Sequence, residues 1–208
     1  MNILLETDEL VIAEKEVGML SEESAEPNIV SALKEELGCE IFPVHRLDRA
    51  VGGVIAFAKT KSAASALSLP GALKKEYIAV VHGKTEPEGE MRDLLFKDSR
   101  TNKSYVVKRV RRGVKEASLT YKTLGYAEDL SLVSVNLETG RSHQIRVQFS
   151  SRRHPLVGDG KYGASDGCPV GLYCRSVTAM LGGREYTASS LPGRVYPWNL
   201  FESLFDAE

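Results

Sequence analysis

The side chains most able to do chemistry in this sequence lie in the segment His45-Arg46-Leu47-Asp48. It is followed by R-A-V-G-G at 49–53 and by the apolar run 54–58, a pattern that predicts a glycine-ended turn leading into a strand. A carboxylate buried on such a turn is costly unless a cation or several hydrogen-bond donors compensate it. Asp48 is therefore predicted to have a partner elsewhere in the chain.

Two further segments carry the chemistry-bearing residue types. One is T-G-R-S-H-Q-I-R-V at 139–147, which supplies candidate cations, and the other is H-P-L-V-G-D-G-K-Y-G at 154–163. With H-R-L-D, these blocks resemble in type and order the signature of the RluA-type pseudouridine synthases. The stretch K-E-Y-I-A-V-V-H-G at 75–83 is similar to the K-x-Y-x-A-x-V-x-G strand of that family. The resemblance runs from near the N-terminus to about Gly163.

The resemblance implies an isomerase that converts uridine in ribosomal or transfer RNA to pseudouridine. The bond from ribose to the pyrimidine nitrogen breaks, the base rotates, and a ring carbon is joined to the ribose. Because no atoms or electrons are gained or lost, a carboxylate nucleophile with an acid/base helper suffices, and neither a metal nor any other cofactor is expected. The family assigns the nucleophile to Asp48, which attacks either the ribose or the base.

The other implied roles follow from the same blocks. Arg146 matches the basic partner that keeps the aspartate ionised, and Tyr77 matches a tyrosine that stacks on the uracil and lies near the departing proton. Arg46 matches an arginine inserted into the RNA helix where the target nucleotide is flipped out. Three more motif residues are expected to orient loops or contact backbone, and we group them with the substrate-binding set: His45, Arg141 and His143.

The net charge of −1 hides an asymmetry along the chain. Residues 1–40 contain eleven acids and two bases, whereas the segment 97–122 contains nine bases and two acids. A polyanion is attracted to the second segment, so Arg109 and Arg111 are predicted to contact RNA phosphates. The alternative is an edge of a hairpin protected by its charges against aggregation.

Composition limits the class of protein. A chain of 208 residues with 42% hydrophobic content can form one core, so a single catalytic domain over 1–208, without a separate RNA-binding module, is expected. No apolar run is long enough to cross a membrane and no signal peptide is evident, which predicts a cytoplasmic protein, expected to be a monomer. The three cysteines lack paired spacing and are expected to be reduced thiols: Cys39, Cys168 and Cys174.

Hydrophobic periodicity predicts both helices and strands. The helices are expected over 27–37, with Pro27 in the first turn and Gly38 at the C-cap, over 61–69, and over 142–149. The strands are expected over 10–13, 54–58, 77–81, 105–110, 117–124 and 130–137. Consecutive strands favour antiparallel pairing, and the family implies an α+β fold around a mixed, mainly antiparallel sheet with a cleft across it.

Three alternatives accompany this interpretation. G-D-G-K-Y-G at 158–163 spells a dinucleotide-binding pattern, but its flanks lack the strand and helix that such a site requires. Asp48 and Arg146 could form a purely structural ion pair, and the four histidines lack metal-ligand spacing. The family usually continues its aspartate as D-x-x-T-S-G, and the absence of both hydroxyls from D-R-A-V-G-G leaves a catalytically impaired RNA-binding relative as the second candidate.

Overall fold

The structure, a computed structural model, describes residues 2–206. The chain forms two compact units, and β5 and β10 each run through a boundary between them. The first unit contains the residues up to Glu76 together with Tyr173–Pro192, and the second contains Tyr77–Leu172 together with the residues from Gly193. The strands and helices, in chain order, are β1 Asn2–Glu6, β2 Leu10–Lys15, α1 Ile29–Leu37, β3 Phe42–Pro43, β4 Gly52–Ala58, α2 Lys61–Leu67, β5 Leu73–His82, β6 Glu88–Asp98, β7 Lys103–Val107, β8 Val114–Ala127, β9 Leu130–Leu137, α3 Gln144–Ser151, β10 Leu172–Leu181, β11 Arg184–Ser189 and α4 Glu202–Phe205.

In the first unit the strand order is β1-β2-β4-β10, with β3 also paired to β4 and β11 to β10. All seven residues of β4 are buried, which explains its continuous apolar sequence. The parallel pairing of β4 with β10 brings Gly53 opposite Cys174. Gly53 has φ +118°, and a Cβ there would lie 2.3 Å from the Cys174 carbonyl oxygen. Only glycine therefore fits at this position of β4.

In the second unit the strand order is β5-β9-β8-β6-β7, and β9-β8-β6-β7 is antiparallel throughout. Side chains alternate between the two faces of each strand. One face of β6 and β8 packs on α3 through a cluster of apolar residues: Leu95, Ala117, Val147 and Tyr162. The opposite face of the sheet carries Phe96 of β6 and Tyr105 of β7.

The α+β class and the mixed, mainly antiparallel sheet are confirmed. The predicted strand at 105–110 is wrong in its bounds, because β7 ends at Val107 and 108–113 form a loop. Pro27 is not in the first turn of α1, since Asn28 is the N-cap and its side chain accepts a hydrogen bond from the Ser31 N–H. The predicted C-cap at Gly38 is confirmed, with φ +63°.

The start of α3 also differs from the prediction. The N-cap is His143, in the left-handed conformation, and the helix begins at Gln144 rather than Ser142. Three strands were not predicted from the sequence, because their exposed and buried residues do not alternate regularly in the apolar pattern: β6, β10 and β11. Within residues 2–206, no helix is long and apolar enough to cross a membrane. The three cysteines are free thiols.

Candidate active site

Asp48 lies on the turn that connects β3 to β4, and it is half-buried. The turn closes through a hydrogen bond of 2.9 Å from the Val51 N–H to the Asp48 carbonyl. The neighbouring Leu47 is buried, which fixes the carboxylate-bearing residue between an anchored side chain and a closed turn. The backbone closes this turn by itself, and neither hydroxyl of the family's D-x-x-T-S-G continuation takes part.

A serine from the N-terminal segment provides the anchor. The Ser21 hydroxyl donates to the Leu47 carbonyl at 2.8 Å and accepts from the Leu47 N–H at 3.1 Å. A third bond joins the Gly18 N–H to the Arg49 carbonyl at 2.8 Å. All three hydrogen bonds come from residues that sequence reasoning did not assign to the site, and together they hold the backbone on either side of Asp48.

Lys15 is another residue of the site that sequence reasoning missed. Its side chain is 1% exposed, and its ammonium donates to the carbonyls of Glu16 and Met19, each at 2.9 Å. Burial lowers the pKa of Lys15 to about 8, while the negative charge of Asp48 acts in the opposite direction. No pattern in the sequence marked Lys15 for this role, since it lies between two other charged residues, Glu14 and Glu16.

His45 contacts the protein backbone. Its Nε2 accepts a hydrogen bond from the Ala56 N–H at 3.0 Å, which ties the turn to the centre of β4. Burial, together with the charge of Lys75, lowers the pKa of His45 to about 3, so the ring is neutral at neutral pH. Within the part of the chain that the structure describes, its buried Nδ1 has no hydrogen-bond partner.

The two arginines beside Asp48 form ion pairs with the acidic segment before α1. Arg46 Nη1 lies 2.8 Å from Glu22 Oε1, and Arg49 Nη1 lies 2.7 Å from Glu26 Oε2. All four side chains are more than half exposed, so each pair contributes at most about 1 kcal/mol. Either pair can therefore be broken at little cost.

Arg146 projects from α3 and is paired with Asp159 in the second unit. Its Nε donates to Asp159 Oδ2 at 2.7 Å and its Nη2 donates to Oδ1 at 2.8 Å, a bidentate arrangement that fixes the plane of the guanidinium. Asp159 is fully buried and Arg146 is 6% exposed. The pair uses two of the five guanidinium N–H donors. Asp159 is in the H-P-L-V-G-D block, but the sequence suggested no role for it.

Tyr162 organises the surroundings of Arg146. The centre of its ring lies 5.2 Å from the Arg146 guanidinium carbon. Its hydroxyl accepts from the Ser104 N–H at 2.9 Å and bonds the His143 Nδ1 at 2.8 Å. His143 is thus a buried residue that orients Tyr162.

Gln144 shapes the turn that leads into α3. Its Oε1 accepts from the Thr139 hydroxyl and the Arg141 N–H, and its Nε2 donates to the Ser118 carbonyl. Arg141 contacts the protein backbone, since its Nε donates to the Glu116 carbonyl at 2.8 Å. This buried amide explains the glutamine of the H-Q-I-R block, to which sequence reasoning gave no function.

Tyr77 and the basic loop complete the predicted set. Tyr77 is on β5 and is 6% exposed. Arg109 and Arg111 lie in the exposed loop 108–113 between β7 and β8. The guanidinium carbon of Arg111 lies 4.6 Å from the centre of the Phe96 ring, a cation–π contact.

The predicted site residues thus group within each unit. The first unit contains Asp48, Arg46 and His45 with the added residue Lys15, and the second contains Tyr77, Arg146, Arg141 and His143 with the added residue Asp159. The pairing of Asp48 with Arg146 stays a prediction. Among residues 2–206, no three histidine, cysteine or acidic side chains gather as metal ligands would.

Sequence comparison identifies the family of the chain. Residues 9–151 match the family of RNA pseudouridylate synthases. The chain is 33% identical over 181 residues to tRNA pseudouridine synthase C of Haemophilus ducreyi, covering 78% of this chain and 74% of that protein. It is also 31% identical over 180 residues to ribosomal large subunit pseudouridine synthase D of Zymomonas mobilis, covering 79% of this chain and 56% of that protein. The chain belongs to the RNA pseudouridylate synthase family.

Solved structures show the same fold. Human RNA Pseudouridylate Synthase Domain Containing 1 superposes with a TM-score of 0.80 at 18% identity, covering 99% of this chain and 93% of that one. Human RNA Pseudouridylate Synthase Domain Containing 4 gives a TM-score of 0.76 at 23% identity, covering 92% and 89%. The resemblance seen in the sequence blocks is confirmed at the level of family and fold.

Proposed function

We propose that this protein isomerises uridine to pseudouridine within structured transfer or ribosomal RNA, with Asp48 as the nucleophile. The observation that carries the proposal is the construction around Asp48. The carboxylate is held on a closed turn, anchored by Ser21 through Leu47, beside a buried ammonium from Lys15. A nucleophile needs such fixed geometry, whereas a surface carboxylate does not.

The reaction assigns work to each group. Asp48 adds to the ribose or to the base, the bond from ribose to the ring nitrogen breaks, and the bond to ring carbon 5 forms. The bond to Asp48 then breaks, which returns the free carboxylate. The proton on that carbon leaves, and the ring nitrogen gains a proton. In this proposal Arg146, oriented by Asp159, keeps Asp48 ionised, and Tyr77 stacks on the uracil near the departing proton.

In this proposal the other residues of the site bind the RNA. Arg46 exchanges Glu22 for the RNA and fills the space left by the flipped nucleotide, since a uridine inside a stem is inaccessible until it leaves the stack. Arg109 and Arg111 contact phosphates, while His45, Arg141 and His143 hold the loops that meet the substrate. We further propose that the protein acts in the cytoplasm, as a monomer, and without a metal or nucleotide cofactor.

The test is release of tritium from RNA labelled at carbon 5 of uridine, using transfer and ribosomal RNA transcripts. Wild-type protein should release tritium, and Asp48→Asn should release none, because the substitution keeps shape and removes charge and nucleophilicity. Asp98→Asn is the matched control, since Asp98 bonds only its own turn, to Arg100 and Thr101, among the described contacts.

The same assay separates the enzyme from the second candidate. Wild-type protein that binds these RNAs but releases no label would support an impaired RNA-binding relative. Turnover that persists in Asp48→Asn would remove Asp48 from the reaction.

A further inference from the structure

Resting on the proposed RNA substrate, we infer that Tyr105 and its neighbours on β6 and β7 form a stacking platform for an unpaired nucleotide of that RNA. None of the roles proposed above uses Tyr105. The platform consists of Lys103, Tyr105, Phe96 and Arg111.

The strand register puts the two aromatic rings on one face. Phe96 of β6 lies directly opposite Tyr105 of β7, and directly opposed residues in an antiparallel pair project to the same side. The apolar core lies on the other face, since Leu95 and Ser104, the next residues along each strand, are buried there. The face with Phe96 and Tyr105 therefore has no part in packing α3.

Residues on this face and next to it are exposed to solvent. Tyr105 is 41% exposed, and Val110 in the adjoining loop is 78% exposed. β7 is the last strand in the order, so one long edge of this surface is unpaired by any other described strand. An exposed aromatic ring on an edge strand costs solubility, and a stacking function accounts for it.

Cations surround the rings. The Lys103 ammonium lies 5.7 Å from the centre of the Tyr105 ring, and the Arg111 guanidinium carbon lies 4.6 Å from that of Phe96. Both residues belong to the segment 97–122 with its nine bases and two acids. Aromatic rings interleaved with cations fit a nucleotide, whose base stacks while its phosphate pairs with the cation. A partner protein with an apolar surface would not bind more tightly because of these positive charges.

The platform is connected to Arg146 through Tyr162. The Lys103 ammonium lies 5.2 Å from the centre of the Tyr162 ring, and the Arg146 guanidinium lies at the same distance from it. Ser104, between Lys103 and Tyr105, bonds the Tyr162 hydroxyl through its N–H. The strand that carries the platform is therefore the strand that anchors the surroundings of Arg146, and the stacked nucleotide is expected to flank the target uridine.

The experiment measures binding of a fluorescein-labelled twelve-nucleotide oligouridine to the full chain. Tyr105→Ala should weaken binding by about tenfold or more, since aromatic stacking contributes roughly 5- to 150-fold per base. Tyr105→Phe keeps the ring and should bind within about twofold of wild type. Tyr105→Leu fits a strand and keeps apolar bulk, so a loss equal to that of Tyr105→Ala identifies stacking rather than folding.

Two controls sharpen the result. Tyr126→Ala removes an equally exposed tyrosine, 49% exposed, beside Glu128 and Asp129, and it should leave binding unchanged. A twelve-base-pair RNA duplex, which has no unpaired base, should bind wild type and Tyr105→Ala alike. Equal loss on oligouridine and duplex, or no loss on oligouridine, would overturn the platform.

The outcome is separable from that of the proposed function. Tyr105-dependent binding by a protein that releases no tritium keeps the platform and removes the synthase activity. Tritium release by a protein whose oligouridine binding is unchanged in Tyr105→Ala keeps the synthase activity and removes the platform.

Discussion

At the scale of single residues, the site depends on charges that are buried and compensated. Lys15 and Asp159 are the clearest cases, because each is almost inaccessible and neither was selected from the sequence motifs. Different kinds of groups compensate the two buried charges. Lys15 has two carbonyl acceptors and the charge of Asp48 to offset burial, whereas Asp159 meets a cation directly.

Lys15 should make the stability of the protein depend on alkaline pH. Its pKa in the folded state is about 8, against 10.5 in the unfolded chain, so between these values the unfolded chain binds more protons and the free energy of unfolding rises with pH. Relative to Lys15→Met, wild type should gain about 2 kcal/mol between pH 7 and pH 9.5. Urea unfolding of both proteins at the two pH values measures this. A difference that stays constant with pH would show that the Lys15 pKa is close to its ordinary value.

Asp159 should act by positioning Arg146. Asp159→Asn keeps one hydrogen-bond acceptor but removes the charge, so the guanidinium loses its bidentate partner and the protein should lose roughly 3 kcal/mol of stability. Since Arg146 is then free to reorient, kcat should fall while KM for RNA stays nearly constant. Single-turnover tritium release with a parallel melting curve checks both. The control is Asp93→Asn, which breaks a less buried pair with Arg152 and should leave kcat unchanged.

At the scale of elements, loops supply the contacts with RNA and strands fix where these loops begin. The turn before β4 is closed by backbone hydrogen bonds, while the loop 108–113 is exposed and basic. The turn is therefore expected to control access to a single base of the RNA. The loop is expected to contribute long-range attraction between the RNA and the protein.

Arg46→Ala should reduce turnover of a target uridine in a stem much more than turnover of the same uridine left unpaired, because a wedge is needed only where a base must leave a stack. Tritium release from a matched pair of stem-loops tests this. Glu22→Gln keeps Arg46 and removes its ion-pair partner, so it should bind RNA at least as tightly as wild type. Equal loss on paired and unpaired targets would assign Arg46 to the chemistry or to the fold.

Replacing the four basic residues of the loop, Lys108, Arg109, Arg111 and Arg112, by alanine should weaken binding to many RNAs alike. The slope of log affinity against log salt should flatten by about one unit or slightly less per lost phosphate contact. Affinity measured over a salt series checks this. A control with the same charge change replaces four exposed bases outside the segment, Lys61, Lys74, Lys84 and Arg184, and should change the slope less. Equal flattening by both variants would show that only net charge matters.

At the scale of the whole molecule, the proposed reaction is carried entirely by side chains. A carboxylate nucleophile, a guanidinium and a phenol need no metal or electron carrier. Activity should therefore survive prolonged dialysis against EDTA, measured as tritium release in the chelated buffer. The control is an RNA whose folding is independent of magnesium, so that any loss reports on the protein. Loss on that RNA that zinc or magnesium restores would contradict the expectation.

The sequence by itself determined the family, the α+β class and the residue types of the site. A motif block such as H-R-L-D is recognisable because its residues are contiguous in the chain, and a strand such as β9 is visible because its apolar residues mark it locally. It could not find β6 or β10, whose residues are buried by partners far along the chain. It also placed the start of α3 wrongly, because the left-handed conformation of His143 is favoured by contacts with Tyr162 rather than by local propensity.

Only the tertiary structure decided which groups compensate the buried charges. Asp159 meets Arg146 thirteen residues away, and Ser21 anchors Leu47 across 26 residues, distances that no periodic pattern encodes. Lys15 became recognisable as a buried cation only when β2 was seen beside β4. The physical reason is that motifs specify the reacting groups, whereas burial and hydrogen-bond partners come from pairing segments that are distant in the chain.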